Sequence, residues 1–283
     1  MRIASLHVYP IKGGRAVDME RARLAMRGLE HDRRWLVTDE TGAFLTQREC
    51  SDLARLVAAP VDEGLMLRMD GVEGGVHAFI SSAAPRRTIR IWKDAVNALE
   101  ADDAACDWLS SMLGRPARLF FMDAVADRQT SKHWGANVPV SFADGYPLLI
   151  VTKASLDALN NELIAGGGSA LPMARFRPNI VIEGASPWAD DNWRAIRIGD
   201  VEIDLVKPCV RCVVTTKDQI TGDDTGKEPL RTLAKIRRSA HPDLSGVLFG
   251  WNASPRNEGD ISVGDVVEVI EERPEGWPLA PVV

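Results

Sequence analysis

Turn-forming residues punctuate this 283-residue chain throughout: 23 glycines and 16 prolines, helped by phrases such as Asp39-Glu40-Thr41-Gly42, leave only short apolar stretches between them. The first half reads as β-like runs over Arg2 to Tyr9, Ala22 to Ala25, Arg34 to Thr38, Ala43 to Thr46, Gly64 to Met69, Val76 to Ile80 and Thr88 to Ile91. Strand-like runs return at Asn179 to Ile182, Ala195 to Ile198, Val201 to Val206, Val210 to Thr216 and Val266 to Ile270. Many short strands joined by close turns predict a barrel or sandwich rather than βαβ units.

Three segments break this pattern. Ala105, Trp108, Leu109 and Met112 recur at helical spacing between Asp102 and Leu113, and Gly114 with Pro116 supplies a stop. Ser155 to Ile164 carries the stripe Leu156, Leu159, Leu163, and Pro229 to Arg237 carries Leu230, Leu233, Ile236. The run Gly166-Gly167-Gly168 reads as a helix C-cap, since no Lys-Ser or Lys-Thr pair follows it as a phosphate-cradling loop requires. The expected fold is therefore mixed and predominantly β with a few helices. It forms two packed domains, a β-barrel-like one over residues 1–120 and a β-barrel over 121–283, with no long linker between them.

Composition narrows the function. With 34 basic against 40 acidic residues the net charge is −6, which disfavours a broad nucleic-acid surface and leaves room for a local basic pocket. Hydrophobic residues make up 45% and charged residues 26%, so the chain is globular. Cysteines at 50, 106, 209 and 212 are too sparse for a secreted disulfide framework. The N-terminus has no secretory pattern and no apolar run is long enough to span a bilayer, so a cytoplasmic protein without membrane contact is expected.

The segment Lys207-Pro208-Cys209-Val210-Arg211-Cys212-Val213-Val214-Thr215-Thr216 contains a C-x-x-C pair. A thioredoxin-type dithiol needs a helix N-terminus, whereas β-branched neighbours indicate strand. A structural zinc site needs four ligands, and no second pair is present. Two plain strand thiols remain an alternative. Arg211 beside Cys212 favours thiolate, and a lone thiolate suits a metal whose other ligands arrive with a cofactor. Three basic clusters accompany it: Arg175-Phe176-Arg177-Pro178-Asn179, His31-Asp32-Arg33-Arg34-Trp35 and the loop Lys12-Gly13-Gly14-Arg15. Together they predict a pocket for a phosphorylated cofactor. The Asp144-Gly145 turn, ahead of Tyr146-Pro147, exposes backbone amides beside an apolar run.

Taken in order, Tyr9-Pro10-Ile11-Lys12, Asp32 to Val37, Phe142 to Pro147, Arg175 to Asn179 and Arg211-Cys212-Val213-Val214-Thr215-Thr216 resemble the MOSC-domain proteins that carry an N-terminal MOSC β-barrel domain. The resemblance is to the subfamily of mitochondrial amidoxime-reducing components and their bacterial relatives, over roughly residues 1 to 270. It implies a molybdenum pyranopterin cofactor with Cys212, not Cys209, as the protein ligand of the metal. The family's pterin and phosphate contacts fall on Lys12, Gly13, Arg33, Asp144, Gly145, Arg177, Asn179, Val210 and Arg211, and on Asn252 after Leu248-Phe249-Gly250. Several relatives have serine where this chain has Gly13. No iron-sulfur cluster is expected, since the chain lacks the plant-type cysteine array of relatives that carry a ferredoxin domain, and pyridoxal phosphate is not expected.

The implied activity is reduction of small N-hydroxylated substrates (hydroxylamines, amidoximes, N-hydroxylated bases) to N–H compounds, with electrons from a separate reductase or ferredoxin-like protein. Asp218 is a candidate proton relay, with turn formation before Thr221-Gly222 as its competing role. Two rival readings are a non-catalytic cofactor carrier or sulfur-handling module, and a thiol-redox or interaction domain built on Cys209 and Cys212.

Overall fold

A computed structural model describes residues 1–81, 83–135 and 137–281. In chain order the strands of the first half are β1 (Arg2–Val8), β2 (Val17–Met19), β3 (Arg21–Ala25), β4 (Gly28–Leu29), β5 (Trp35–Thr38), β6 (Leu56–Val61), β7 (Gly64–Met69), β8 (Val76–Phe79), β9 (Arg86–Ile91) and β10 (Asp94–Glu100). Helix α1 (Asp103–Leu113), β11 (Arg118–Phe121), β12 (Leu148–Thr152), α2 (Lys153–Ala165), β13 (Ile180–Glu183), β14 (Trp193–Ile198) and β15 (Val201–Val210) follow. Helix α3 (Leu230–Ile236), β16 (Leu248–Pro255), β17 (Gly259–Ser262) and β18 (Val267–Glu272) complete the chain.

The protein is mostly β, as the turn density predicts. An eight-stranded sheet runs β18-β14-β15-β16-β12-β13-β1-β2, a short sheet pairs β17 with β3 and β4, and two further sheets, β5-β11-β10-β9 and β6-β7-β8, build the N-terminal half. Strand β1 lies antiparallel to β13 and β17 antiparallel to β3. The first thirty or so residues therefore belong by hydrogen bonding to the C-terminal sheets, although the sequence assigns them to a domain spanning 1–120. One core collects Ile3, Leu6, Ile150, Ile180, Ile203 and Trp251 across that seam, and a second fills the N-terminal half around Ile11, Leu53, Leu67 and Leu109.

All three expected helices form, and the first two carry local end signals. The Asp102 side chain caps α1 by accepting from the Ala105 amide at 3.0 Å, and Gly114 ends it at φ +61°. Helix α2 begins two residues before Ser155 because Thr152 accepts the Ser155 amide at 3.1 Å. Three expectations are corrected. Ala43 to Thr46 is not a strand; Ala43 and Phe44 make only isolated bridges, to Arg90 and Thr38. The unit β12-α2-β13 is a βαβ crossover with parallel pairing; Leu148 to Thr152 is buried on both faces and so shows no alternation. Finally, Val210 to Thr216 does not continue as a strand: β15 stops at Val210 and Val213–Thr216 closes a 3-10 turn. The Thr215 and Thr216 hydroxyls donate to the carbonyls of Cys212 and Val213 at 2.9 and 2.8 Å, and this local bonding overrides the β preference of the run.

Gly250 lets β16 cross β12: at φ +73° a Cβ there would stand 2.8 Å from the Ile150 carbonyl oxygen. Behind this crossing lies a buried polar clasp. Arg237 binds Asp191 through both terminal nitrogens at 2.7 and 2.8 Å, and Trp251 Nε1 donates to the same carboxylate at 3.3 Å. Its neighbour Asp190 accepts from Ser155 Oγ at 3.3 Å, and burial, with Asp191 alongside, pushes its carboxyl up to about 6. The fold thus favours protonated Asp190, a contribution complete below about pH 4 and lost as the pH rises through 6. Asp190→Asn should therefore stabilise the protein at pH 7.5 by about 1–3 kcal/mol and match wild type near pH 4. Denaturant titrations across that range check this, and a difference independent of pH would count against it.

Candidate functional site

An open cleft lies where the N-terminal half meets the large sheet. Every site residue proposed from the sequence except Asp218 lines it: Lys12, Gly13, Arg33, Asp144, Gly145, Arg177, Asn179, Val210, Arg211, Cys212 and Asn252. They arrive from six separate segments. Lys12 and Gly13 follow β1, where the Lys12 amide donates to the Trp35 carbonyl at 2.9 Å and Gly13 takes φ +82°. Arg33 precedes β5, Asp144 and Gly145 precede β12, Arg177 and Asn179 precede β13, Val210 to Cys212 leave β15, and Asn252 sits in β16.

The deepest feature is cationic. Arg33 and Arg177 both adopt left-handed backbone, at φ +48° and +55°, and both guanidinium carbons stand over the Tyr9 ring, 4.4 and 4.2 Å from its centroid. Arg33 is held by Asp32 at 2.6 Å and by Asn179 Oδ1 at 2.8 Å. Asn179 also accepts from the Leu149 amide at 3.1 Å and donates to the His7 carbonyl at 3.1 Å, so it acts as a stitch that orients Arg33. Arg177 donates to Gln219 Oε1 at 3.0 Å, and among the described residues no carboxylate forms an ion pair with it. Burial pushes it down to about 10, the mark of a charge short of a counter-ion.

Six cations, Lys12, Arg33, Arg48, Arg175, Arg177 and Arg211, line the cleft against one carboxylate, Asp144. Enclosure works against ionisation of Asp144, but Lys12, 2.5 Å away, outweighs it and holds the carboxyl well below its usual range. Further donors remain unused: among the described residues Tyr146 Oη and the Nε atoms of Arg175 and Arg211 are buried without a partner, and burial pushes the Tyr146 phenol up to about 12. A surplus of buried donors and cations fits a polar anion such as a phosphorylated pterin. Among the described residues no three His, Cys, Asp or Glu side chains converge to hold a metal by themselves. A metal at this place would have to bring most of its ligands with it.

Two roles assigned from sequence change. Arg211 does not serve Cys212: its Nη1 donates to Cys209 Sγ at 2.9 Å and its Nη2 to the Phe176 carbonyl at 2.7 Å, because the chain turns between the two cysteines. Asp218 stands outside the cleft and closes a turn, accepting the amides of Ile220 and Thr221 at 2.8 and 3.0 Å; those bonds lower its pKa, the wrong direction for a relay. All four cysteines are free.

The sequence reading missed Gln47, Arg48, Trp92, Arg128 and Gln219. Gln47 donates to the Gly13 carbonyl at 2.7 Å and to Gln219 Oε1 at 3.2 Å, tying the N-terminal half to the segment after Cys212. Arg128, buried, grips the carbonyls of Ser141, Ala143 and Asp144 and reaches Asp94 Oδ2 at 2.8 Å. These pairs lie far apart in sequence, and no local pattern marks them.

The fold and cleft define a two-domain β protein with a cationic cleft lined by two free, half-exposed thiols, Cys209 and Cys212. Residues 1–116 match the MOSC N-terminal beta barrel domain and residues 137–268 match the MOSC domain. The chain is 32% identical to mitochondrial amidoxime-reducing component 1 of Mus musculus over 95% of this chain and 82% of that protein. It is 31% identical to the Homo sapiens component 1 over 95% and 82%. Against the molybdenum cofactor sulfurase of Oryza sativa subsp. japonica it is 27% identical, over 95% of this chain and 35% of that protein. The chain belongs to the MOSC-domain family with an N-terminal MOSC β-barrel domain.

If Arg177 awaits an anion, a phosphate monoester should raise the melting temperature of the cofactor-free protein by about 3–5 °C at ten times its dissociation constant. Arg177→Met should abolish that rise. It should not lower the unliganded melting point, since it removes a buried charge without a counter-ion. A thermal shift that survives in the variant would reject the assignment.

Proposed function

We propose that this protein is a molybdenum-pyranopterin-dependent reductase that converts N-hydroxylated compounds to N–H compounds, drawing electrons from a separate protein. One observation carries the reading: a strongly cationic cleft is lined by the free thiol of Cys212, and among the described residues no set of protein ligands converges beside it. The relatives' names add amidoxime reduction as the class of chemistry.

When bound, the cofactor supplies a two-electron centre at which an N–O bond is reduced, consuming two protons and releasing water. The chain's part is to bind and orient. Arg33 and Arg177 would take the phosphate, with Tyr9 fixing both guanidinium planes. Lys12 and the Asp144-Gly145 turn would meet the polar edge of the pterin, and Arg128 keeps that turn in place. Tyr146 Oη and Arg211 Nε offer hydrogen bonds now unused. Phe176 stacks on Phe249 at 3.8 Å, forming a rigid floor beneath Arg211. Gly13 meets the ligand through its backbone, where the serine of several relatives would offer a hydroxyl.

The test is the protein from a cofactor-competent host, assayed with hydroxylamine and an artificial donor while molybdenum and pterin are quantified. Cys212→Ala should lower the rate at least about 100-fold, a loss of a few kcal/mol of transition-state stabilisation; Cys209→Ser should remain within about threefold. Full activity in Cys212→Ala would sink the reading. The sulfurase relative supports one alternative, a carrier or sulfur-handling module, and bound pterin with no turnover of any N-hydroxylated compound would favour it.

A further inference from the structure

Trp92 stands at the tip of the β9–β10 hairpin with φ +54°, a backbone region that costs a non-glycine residue about 1–3 kcal/mol and clusters at functional positions. It is 45% exposed, yet polar and ring contacts hold it. Its Nε1 donates to Asp144 Oδ1 at 3.2 Å, its ring meets Phe44 edge-on at 4.9 Å, and the Arg48 guanidinium lies 5.3 Å from its centroid. The hairpin itself is tied to the Asp144 turn, because Arg128 binds both Asp94 and the Asp144 carbonyl. An exposed indole on a strained backbone is thus fixed over the cleft instead of being buried in a core.

Arg48 shares that placement. It forms no ion pair among the described residues, and it lines the cleft together with Trp92 and Cys212. This cation of the cleft comes from the N-terminal half, 164 positions away in sequence from Cys212. The exposed Val210 adds apolar surface to the same cleft.

We propose that Arg48 and Trp92 are the substrate-recognition pair of this cleft: the guanidinium hydrogen-bonds the oxygen of an N–O group brought over Cys212, and the indole carries the flat, conjugated body attached to it. This rests on the reading that reduction occurs beside Cys212. It selects amidoximes and N-hydroxylated heteroaromatic compounds over aliphatic hydroxylamines, which present an N–O oxygen but no π-face.

The probes are benzamidoxime and N-methylhydroxylamine, used with the loaded protein. Equilibrium binding is measured without an electron donor, KM and kcat with one, and molybdenum content throughout. Trp92→Ala should weaken benzamidoxime binding about tenfold, the worth of one stacked ring. It should leave N-methylhydroxylamine within about twofold, and Trp92→Phe should recover most of the loss. Arg48→Gln should weaken both compounds by about 10- to 100-fold with molybdenum content unchanged, and Arg48→Lys should recover part. Equal effects of Trp92→Ala on the two compounds, no effect of Arg48→Gln, or loss of molybdenum from Arg48→Gln would each overturn the proposal. Wild-type protein that binds benzamidoxime with these variant effects but never reduces it would keep the recognition pair and overturn the reductase reading instead.

Discussion

Two half-buried arginines that share one tyrosine ring are the constraint around which this protein is arranged. Arg33 and Arg177 repel each other, both require left-handed backbone, and only Arg33 has a carboxylate partner, in Asp32. Such a group is costly to bury, so everything near it is committed to holding it. Asp32 accepts the Tyr9 amide at 2.8 Å, Tyr9 Oη donates to the Pro178 carbonyl at 3.1 Å, and Asn179 links β1 and β12 to Arg33. An anion that enters between these residues relieves repulsion and missing solvation together. Much of its affinity is thus prepared in the fold before it arrives.

The same constraint accounts for the interleaving of the two halves. A cleft lined from one domain alone could place Arg177 and Cys212, but not Lys12, Arg33, Arg48 and Trp92. By lending β1, β2 and β3 to the C-terminal sheets, the N-terminal half acquires a fixed registration against them. The Gln47–Gln219 pair and the Lys12–Asp144 bridge then join loops whose positions that registration has already set.

How much of this the sequence discloses follows from the range of each interaction. Helices α1 and α2 are legible because cap and stripe lie within a dozen residues, and the basic clusters are legible because arginines beside a strand entrance are conspicuous. The turn at Val213–Thr216 is hidden, since its valines and threonines read as strand until the threonine hydroxyls are seen bonding the carbonyls three residues back. The partner of Arg211 is hidden for a related reason: adjacency suggests Cys212, whereas the turn directs the guanidinium to Cys209. Arg48, Trp92 and Arg128 carry no local signal at all. An arginine in a loop, a tryptophan at a hairpin tip and an arginine after a short strand acquire meaning only when a distant segment is folded against them.

The distinction between the two cysteines follows from the same geometry. The Cys209 sulfur is already engaged by Arg211, and it sits at an irregularity of the β15–β16 ladder, between the paired Pro208 and Val210. Cys212 has left the ladder, and the 3-10 turn behind it is braced by Arg175, which reaches Thr225 Oγ1 at 2.6 Å. A single thiolate is a weak hold on a metal that carries its other ligands with it. Under the proposed function, anchoring the far end of the same ligand at Arg33 and Arg177 would make the sulfur–metal contact an intramolecular event, with an effective concentration far above any free cofactor level. The cationic end would then supply retention, leaving the cysteine to act on the metal's electronic character instead of on its affinity.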